Sequence, residues 1–328
     1  MAKILITGGA GFMGYHLASA LAEEPGNRLL LVDNLSRGRL DDELTALLGR
    51  PNVELAEIDL TGAEPFAGLP DDFEYVYHLA AVIGVRKVEE DPVRVLSTNA
   101  ISTLRIFEWA RHLPRLRRVL FASTSEAYAG TIKHFGVAVP TGEGVPLTID
   151  DVTSRRSSYA VSKIFGEATA FAHAQQLGLP VTVVRYHNVY GPRMGFLHVI
   201  PEMFEKVSGD AVVRVASPTH TRAFCYVADG VRATVAAASA EATRGRVLHV
   251  GNPREEIAIR ELVQKIAAVL GRDIRIEELP DTPGSPARRC PDISLLTELT
   301  GFEPAVDLAD GLRQTWDWYG PRLAGRYE

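Results

Sequence analysis

Short apolar runs recur along the first half of the chain, each ending on a small or polar residue and separated from the next by a stretch of helical period. Lys3–Thr7, Arg28–Asp33, Val53–Asp59, Tyr75–Ala81, Arg118–Ser123 and Val181–Tyr186 read as strands. Several of them, Tyr75–Ala81 above all, are apolar on consecutive positions rather than alternate ones, as parallel strands covered on both faces should be. Between them Thr98–Arg111 sets Ile101, Leu104, Ile106 and Trp109 at helical spacing, and Ser157–Leu177 reads as a second long helix. Strand and helix in regular alternation predict an α/β fold with a doubly wound parallel sheet. From Asn188 onward the alternation breaks down. Pro192, Pro201, Pro218, Pro253, Pro280, Pro283, Pro286 and Pro291 accumulate there, as expected of a smaller C-terminal lobe laid over the sheet edge. The expected division is residues 1–187 for the sheet domain and 188–328 mainly for the second lobe, with a segment near 225–251 returning to the sheet through a last strand at Val247–Gly251.

The junction of the first strand and first helix carries the strongest chemical signal. Gly8-x-x-Gly11-Phe12-Met13-Gly14 follows a strand, opens a helix, and is followed by Asp33 at the end of the second strand. That is the Rossmann dinucleotide fingerprint: glycines for a tight turn, for approach of backbone amides to a pyrophosphate, and for close packing of helix on strand. The phosphates are expected at the helix N-terminus, where unpaired N–H groups and the dipole favour anions. A carboxylate at Asp33 accepts from both ribose hydroxyls and repels a 2′-phosphate, which predicts NAD over NADP, although Arg37 stands close by. Asn34 opens a polar loop over the adenosine, Asp59 and Leu60 are expected near the adenine, and Ala80, Ala81 and Val82 should line the cofactor at a strand's carboxyl end. Asn99 is open between facing the nicotinamide and capping its helix.

Composition excludes several classes. With 46% hydrophobic and 23% charged residues among 328, the chain is long and apolar enough for a large core. A net charge of −6 implies no nucleic-acid partner. Cys225 and Cys290 are too few for a disulfide framework and the N-terminus enters a strand at once, so a reducing cytoplasm without a signal peptide is expected. No apolar run is long enough to span a bilayer, and no His, Cys and acid cluster has metal-ligand spacing.

Tyr159-Ala-Val-Ser-Lys163 places a phenol and an ammonium four apart on one helical face. The Lys163 charge, together with an oxidised nicotinamide, is expected to lower the Tyr159 pKa and make it a general base. Thr124, Ser125 and Glu126 put hydroxyls and a carboxylate at the end of the fifth strand.

With these motifs, and with His78-Leu-Ala-Ala, Arg185-Tyr-x-Asn188-Val-Tyr-Gly-Pro-Arg193, Arg222-Ala-Phe-Cys-Tyr-Val-Ala-Asp229 and Arg288-Arg-Cys-Pro-Asp292, the chain resembles the extended short-chain dehydrogenase/reductase family, and within it the nucleotide-sugar epimerases, dehydratases and decarboxylases. The resemblance implies that Thr124 bonds the sugar 4-oxygen, that Tyr159 removes its proton, and that Lys163 holds the nicotinamide ribose. Tyr186 joins the cofactor candidates, while Asn188, Arg193, His198, Arg222 and Arg289 are the substrate-side candidates, their guanidinium forks suiting phosphate. One 4-keto intermediate then branches three ways. The expected outcome is 4-epimerisation of a UDP-hexose or UDP-uronate. Decarboxylation of UDP-glucuronate or 4,6-dehydration of a nucleotide hexose are the alternatives that Glu126 would serve. Arg288-Arg-Cys-Pro-Asp292 resembles the decarboxylase pattern, whereas Ala-Val-Ser between Tyr159 and Lys163 departs from it. The two long helices form a dimer bundle in relatives, which implies a homodimer. A sensor that keeps the nucleotide fold without catalysis is the remote rival, and the presence of Thr124, Tyr159 and Lys163 together argues against it.

Overall fold

The computed structural model describes residues 2–282 and 285–324, so Pro283 lies outside the described residues. Seven parallel strands form the main sheet: β1 (Lys3–Thr7), β2 (Arg28–Asp33), β3 (Val53–Glu57), β4 (Tyr75–His78), β5 (Arg118–Thr124), β6 (Val181–Tyr186) and β7 (Val247–Val250). Their spatial order is β7-β6-β5-β4-β1-β2-β3. Strand order thus reverses beside β1, and in such a sheet the crevice at that reversal takes the ligand.

Alternation along each strand sends side chains to two separate cores. Leu5, Val32, Val76, Val119, Phe121, Val181 and Val183 pack on one face. Ile4, Ile6, Leu31, Tyr77, Leu120, Val184, Leu248 and Val250 pack on the other. Both faces are covered, so the strands are apolar on consecutive residues, as expected of a buried parallel sheet.

Five helices matter to the site: α1 (Phe12–Ala22), α2 (Pro92–Ala110), α3 (Ser157–Leu177), α4 (Val199–Gly209) and α5 (Val227–Ser239). The expected span of α3 is found unchanged, but α2 begins six residues before the expected Thr98. Asp91 caps it by accepting from the Arg94 amide at 3.0 Å, and Pro92 occupies the first turn. Asn99 is therefore no cap. β3 and β4 stop short of their expected ends at Asp59 and Ala81, because the residues beyond them leave the sheet to form loops.

Past Asn188 the chain builds small sheets. Thr221–Ala223 lies between Glu256–Ala258 and Arg288–Arg289, while Val212–Ala216 pairs with Arg275–Leu279. α5 and β7 return to the main sheet, β7 pairing with β6.

The packing of α1 on β1 yields a direct test. A Cβ added at Gly14 would stand 2.1 Å from the Gly8 carbonyl oxygen, a backbone atom that cannot swing aside. Gly14→Ala is expected to lower stability by about 1–3 kcal/mol, the usual cost of overpacking; urea denaturation with an unchanged midpoint would show that the helix does not lie this close.

Candidate active site

The cofactor end is built from strand termini. Gly8 adopts φ +71°, which only glycine takes without strain, and its amide donates to the Val32 carbonyl at 2.8 Å. α1 starts immediately after Gly11, and no side chain caps it, so its first amides remain free for an anion. The Asp33 carboxylate accepts from the Ala10 amide at 3.1 Å and the Leu35 amide at 2.9 Å, tying the end of β2 to the glycine turn. Burial raises the Asp33 pKa, and these amides partly offset the rise. Asn34 and Asp59 meet across the loop: hydrogen bonds from Thr61, and from Asn34, hold Asp59 below its usual range. Leu60 is buried in the core on one face of the sheet.

Ala80 and Ala81 line the loop after β4, where the Ala80 amide donates to Thr7 Oγ1 at 3.2 Å. Thr7 in turn bonds His78 Nδ1 at 2.7 Å, and burial takes His78 down to about 3, leaving a neutral imidazole. Asn99 is sealed inside, where its side chain bonds both backbone groups of Val82, at 2.7 and 3.1 Å, and Ser162 Oγ at 3.1 Å. It clamps the loop after β4 to α3, and of the two roles open to it from sequence the helix cap falls to Asp91 instead. Tyr186, expected at the cofactor, turns its phenol to Thr234 on α5, 2.8 Å away. Small residues at the turn, the uncapped helix with Phe12 and Met13 in its first turn, and Asp33 at the strand end fit a dinucleotide of the NAD type.

The catalytic end assembles on α3 and β5. Lys163 is buried and donates to the Ala122 carbonyl at 2.7 Å, with its ammonium 6.0 Å from the Tyr159 ring centre. The Thr124 hydroxyl hydrogen-bonds the Tyr159 phenol and accepts from the Glu126 amide at 3.2 Å. Ser125 is buried beside them. Taken by themselves, the chain's own groups hold the phenol up. Burial, and then the Glu126 charge, raise the Tyr159 pKa well above its ordinary value; the Thr124 hydrogen bond and the Arg37 cation offset only part of this. Burial takes Lys163 itself down to about 8, against the pull of the Glu167 carboxylate.

Glu126 is gripped by Arg289, Nη1 to Oε1 2.5 Å, and that charge lowers its pKa. Arg222 reaches Thr221 O and Ser285 Oγ, both at 2.6 Å, and burial, then Arg289, brings it to about 10. Asn188 holds the Ala223 carbonyl at 3.1 Å, fixing the strand that carries Arg222. Arg193 is not brought to this group. It pairs with Asp41 at 2.9 Å and lies 4.0 Å over the Tyr15 ring, bracing α1. His198 bonds Arg37 at 3.1 Å.

Sequence reasoning missed a buried support. Glu167, one turn beyond Lys163, accepts from Ser123 Oγ at 2.5 Å and from Arg185 Nε and Nη2 at 2.9 and 2.7 Å. The only signal for it was an acid at i+4 from the lysine on a face otherwise turned to the sheet.

The chain matches the NAD dependent epimerase/dehydratase family over residues 4–251. It belongs to that family. It is 33% identical to a UDP-N-acetyl-alpha-D-glucosaminuronate decarboxylase of Bacillus cytotoxicus, over 97% of each chain. Identity to UDP-glucuronic acid decarboxylase 6 of Arabidopsis thaliana is 32%, covering 94% of this chain and 86% of that one. Among solved structures, the UDP-glucose 4-epimerase of Thermotoga maritima with UDP-glucose superposes with a TM-score of 0.84 at 30% identity, covering 98% and 99% of the two chains. A UDP-glucuronic acid 4-epimerase of Bacillus cereus, crystallised with UDP-glucuronic acid and NAD, gives 0.83 at 26% identity and the same coverage. The family member described here is an NAD-dependent enzyme of the UDP-sugar epimerase and decarboxylase class, with the expected doubly wound fold.

The depressed Lys163 pKa has a signed consequence. Between about pH 8 and the ~10.4 of an unfolded lysine, the unfolded chain keeps a proton that the folded chain has lost, so this residue makes stability rise with pH. Urea denaturation at about pH 7.5 and 9.5, below the range where tyrosines dominate, should show a larger rise in wild type than in Lys163→Met. Equal slopes would mean that Lys163 titrates normally.

Proposed function

We propose that the chain oxidises C4 of a UDP-sugar to a transient ketone, and that its principal reaction is 4-epimerisation of a UDP-hexose or UDP-uronate. The observation that carries this reading is the convergence of the Thr124 hydroxyl, the Tyr159 phenol and the Lys163 ammonium at the carboxyl end of β5. Thr124 orients the sugar 4-hydroxyl, and Tyr159 receives its proton. NAD, when bound, supplies the hydride acceptor and a positive charge beside the phenol. That charge matters because burial alone leaves Tyr159 too weak an acid to be a base near neutral pH. Proton removal is thereby made conditional on the oxidised cofactor. The buried Lys163, anchored on Ala122, orients the ribose side of that pocket.

A second reading is favoured by Glu126. An anion beside Tyr159 disfavours the phenolate, a cost that simple epimerisation does not require. Held ionised on Arg289, it gives the site a fixed charged pair, which suits a sugar that stays in one orientation while a C6 carboxylate leaves as carbon dioxide. The curated relatives above are decarboxylases. A homodimer through α2 and α3 is also proposed, supported by the exposure of Leu96, Ile101, Leu104, Phe165 and Leu177 on these helices. A cytoplasmic site of action, and a substrate lobe made mainly of residues 188–328, complete the reading.

Incubation with UDP-glucose and UDP-glucuronate, followed by proton NMR, separates the branches. A 4-epimer supports the first reading; a pentose product with carbon dioxide supports the second and overturns the first. Tyr159→Phe is expected to cut turnover by about 10²–10⁴-fold, the range for a lost general base, while NAD binding stays intact; undiminished turnover would eliminate Tyr159 as the base. Glu126→Gln should leave epimerisation standing and depress decarboxylation. Light scattering that shows only monomer would refute the dimer.

A further inference from the structure

Arg37 stands four residues beyond Asp33, where a cation invites comparison with arginines that read a 2′-phosphate. Its guanidinium does something else. The loop that carries it leans on the glycine turn, since a Cβ added at Gly38 would stand 2.6 Å from Ala10 Cβ. From there the side chain crosses the crevice. Nη1 lies 3.4 Å from the Ile83 carbonyl, in the loop after β4, and Nη2 lies 3.1 Å from Nε2 of His198, the residue preceding α4 in the second lobe. Nη2 also borders Gly195, 3.6 Å from where a Cβ would sit there. The one side chain thus bridges the glycine turn, the β4 loop and the second lobe.

Neither hydrogen-bond partner carries charge. One is a backbone carbonyl. The other is an imidazole that burial lowers to about 4, so it is neutral at working pH and accepts through Nε2. No carboxylate among the described residues forms an ion pair with Arg37. Nearby charge is of the same sign: Arg37 helps lower the pKa of Lys87. A guanidinium has five N–H donors, and two are engaged here. α4 begins beside it with no side-chain cap, adding the positive end of a helix dipole. A cation with free donors, uncompensated charge and a place between the cofactor crevice and the second lobe calls for an anion with several oxygens.

We propose that Arg37 binds diphosphate oxygens at the junction of the two halves, holding either the diphosphate of NAD or that of the UDP-sugar, and does not read a 2′-phosphate. The NAD arm is independent of the function proposed above; the UDP arm rests on it. Because Arg37 is exposed, Arg37→Gln and Arg37→Lys are expected to fold normally, which circular dichroism and thermal melts would verify.

Calorimetric titration of full-length protein with NAD, ADP-ribose, NADP and UDP decides the matter. Arg37→Gln should weaken one diphosphate pair by about 10- to 100-fold, as expected for a lost hydrogen bond to a charged group, and Arg37→Lys should recover part of it. A loss for NAD and ADP-ribose together assigns the cofactor diphosphate; a loss for UDP alone assigns the substrate diphosphate. Affinities unchanged within twofold in both arms, or a loss confined to NADP, would overturn the proposal. Wild-type protein that binds NAD but not UDP would instead count against the UDP-sugar reading.

Discussion

The active site depends on how closely α3 lies against β5. A Cβ at Gly166 would stand 2.2 Å from Phe121 Cζ, so glycine there lets the helix settle onto the strand's aromatic ring. That contact brings the Lys163 ammonium within 2.7 Å of the Ala122 carbonyl and 5.0 Å of the Phe121 ring centre, and it brings the Tyr159 phenol to Thr124. Three groups on two elements thereby share one geometry. The carboxylate of Glu167, held by Ser123 and Arg185, bolts the same helix to β5 and β6 one turn further on. This ion pair is buried on both sides, where removing one partner strands a charge and costs several kcal/mol on the order of 3–5. The side chains proposed for catalysis are therefore held in place by Gly166, Glu167, Ser123 and Arg185.

Burial sets the protonation states. It raises the Tyr159 pKa and lowers that of Lys163, so the chain's own groups leave a neutral phenol beside a weakened ammonium. Glu126 adds to the first effect, and Arg37 from the opposite wall partly cancels it. A site so arranged favours the protonated phenol.

The small sheets past Asn188 bring their cations in by a different route. Arg222 and Arg289 sit at paired positions of adjacent parallel strands, so the ladder alone holds them side by side. Asn188, at φ +40°, ties its side chain to that ladder through the Ala223 carbonyl. Glu126 balances one of the two charges. Beneath this group Tyr128 bonds His187 at 2.9 Å, and His187 packs edge-on to His249; burial keeps both imidazoles neutral, so the layer adds no charge to the site above it.

The sheet, the direction of its strands and the glycine turn were legible in the residues alone, because these follow from local rules. A parallel strand must be apolar on both faces, and a glycine turn before a helix must present amides to an anion; neither needs knowledge of distant residues. The span of α3 was legible for the same reason. Tertiary structure alone decided what depends on contacts between residues far apart in the chain. Asn99 became a clamp because α2 extends back to Pro92 and carries it inside, Tyr186 was turned to α5, and Arg193 was drawn to Asp41 and Tyr15. How strongly burial raises Tyr159 was likewise hidden in the sequence. Spacing places an ammonium near a phenol, but desolvation depends on how much of the fold closes over both, and here burial raises the phenol and lowers the ammonium.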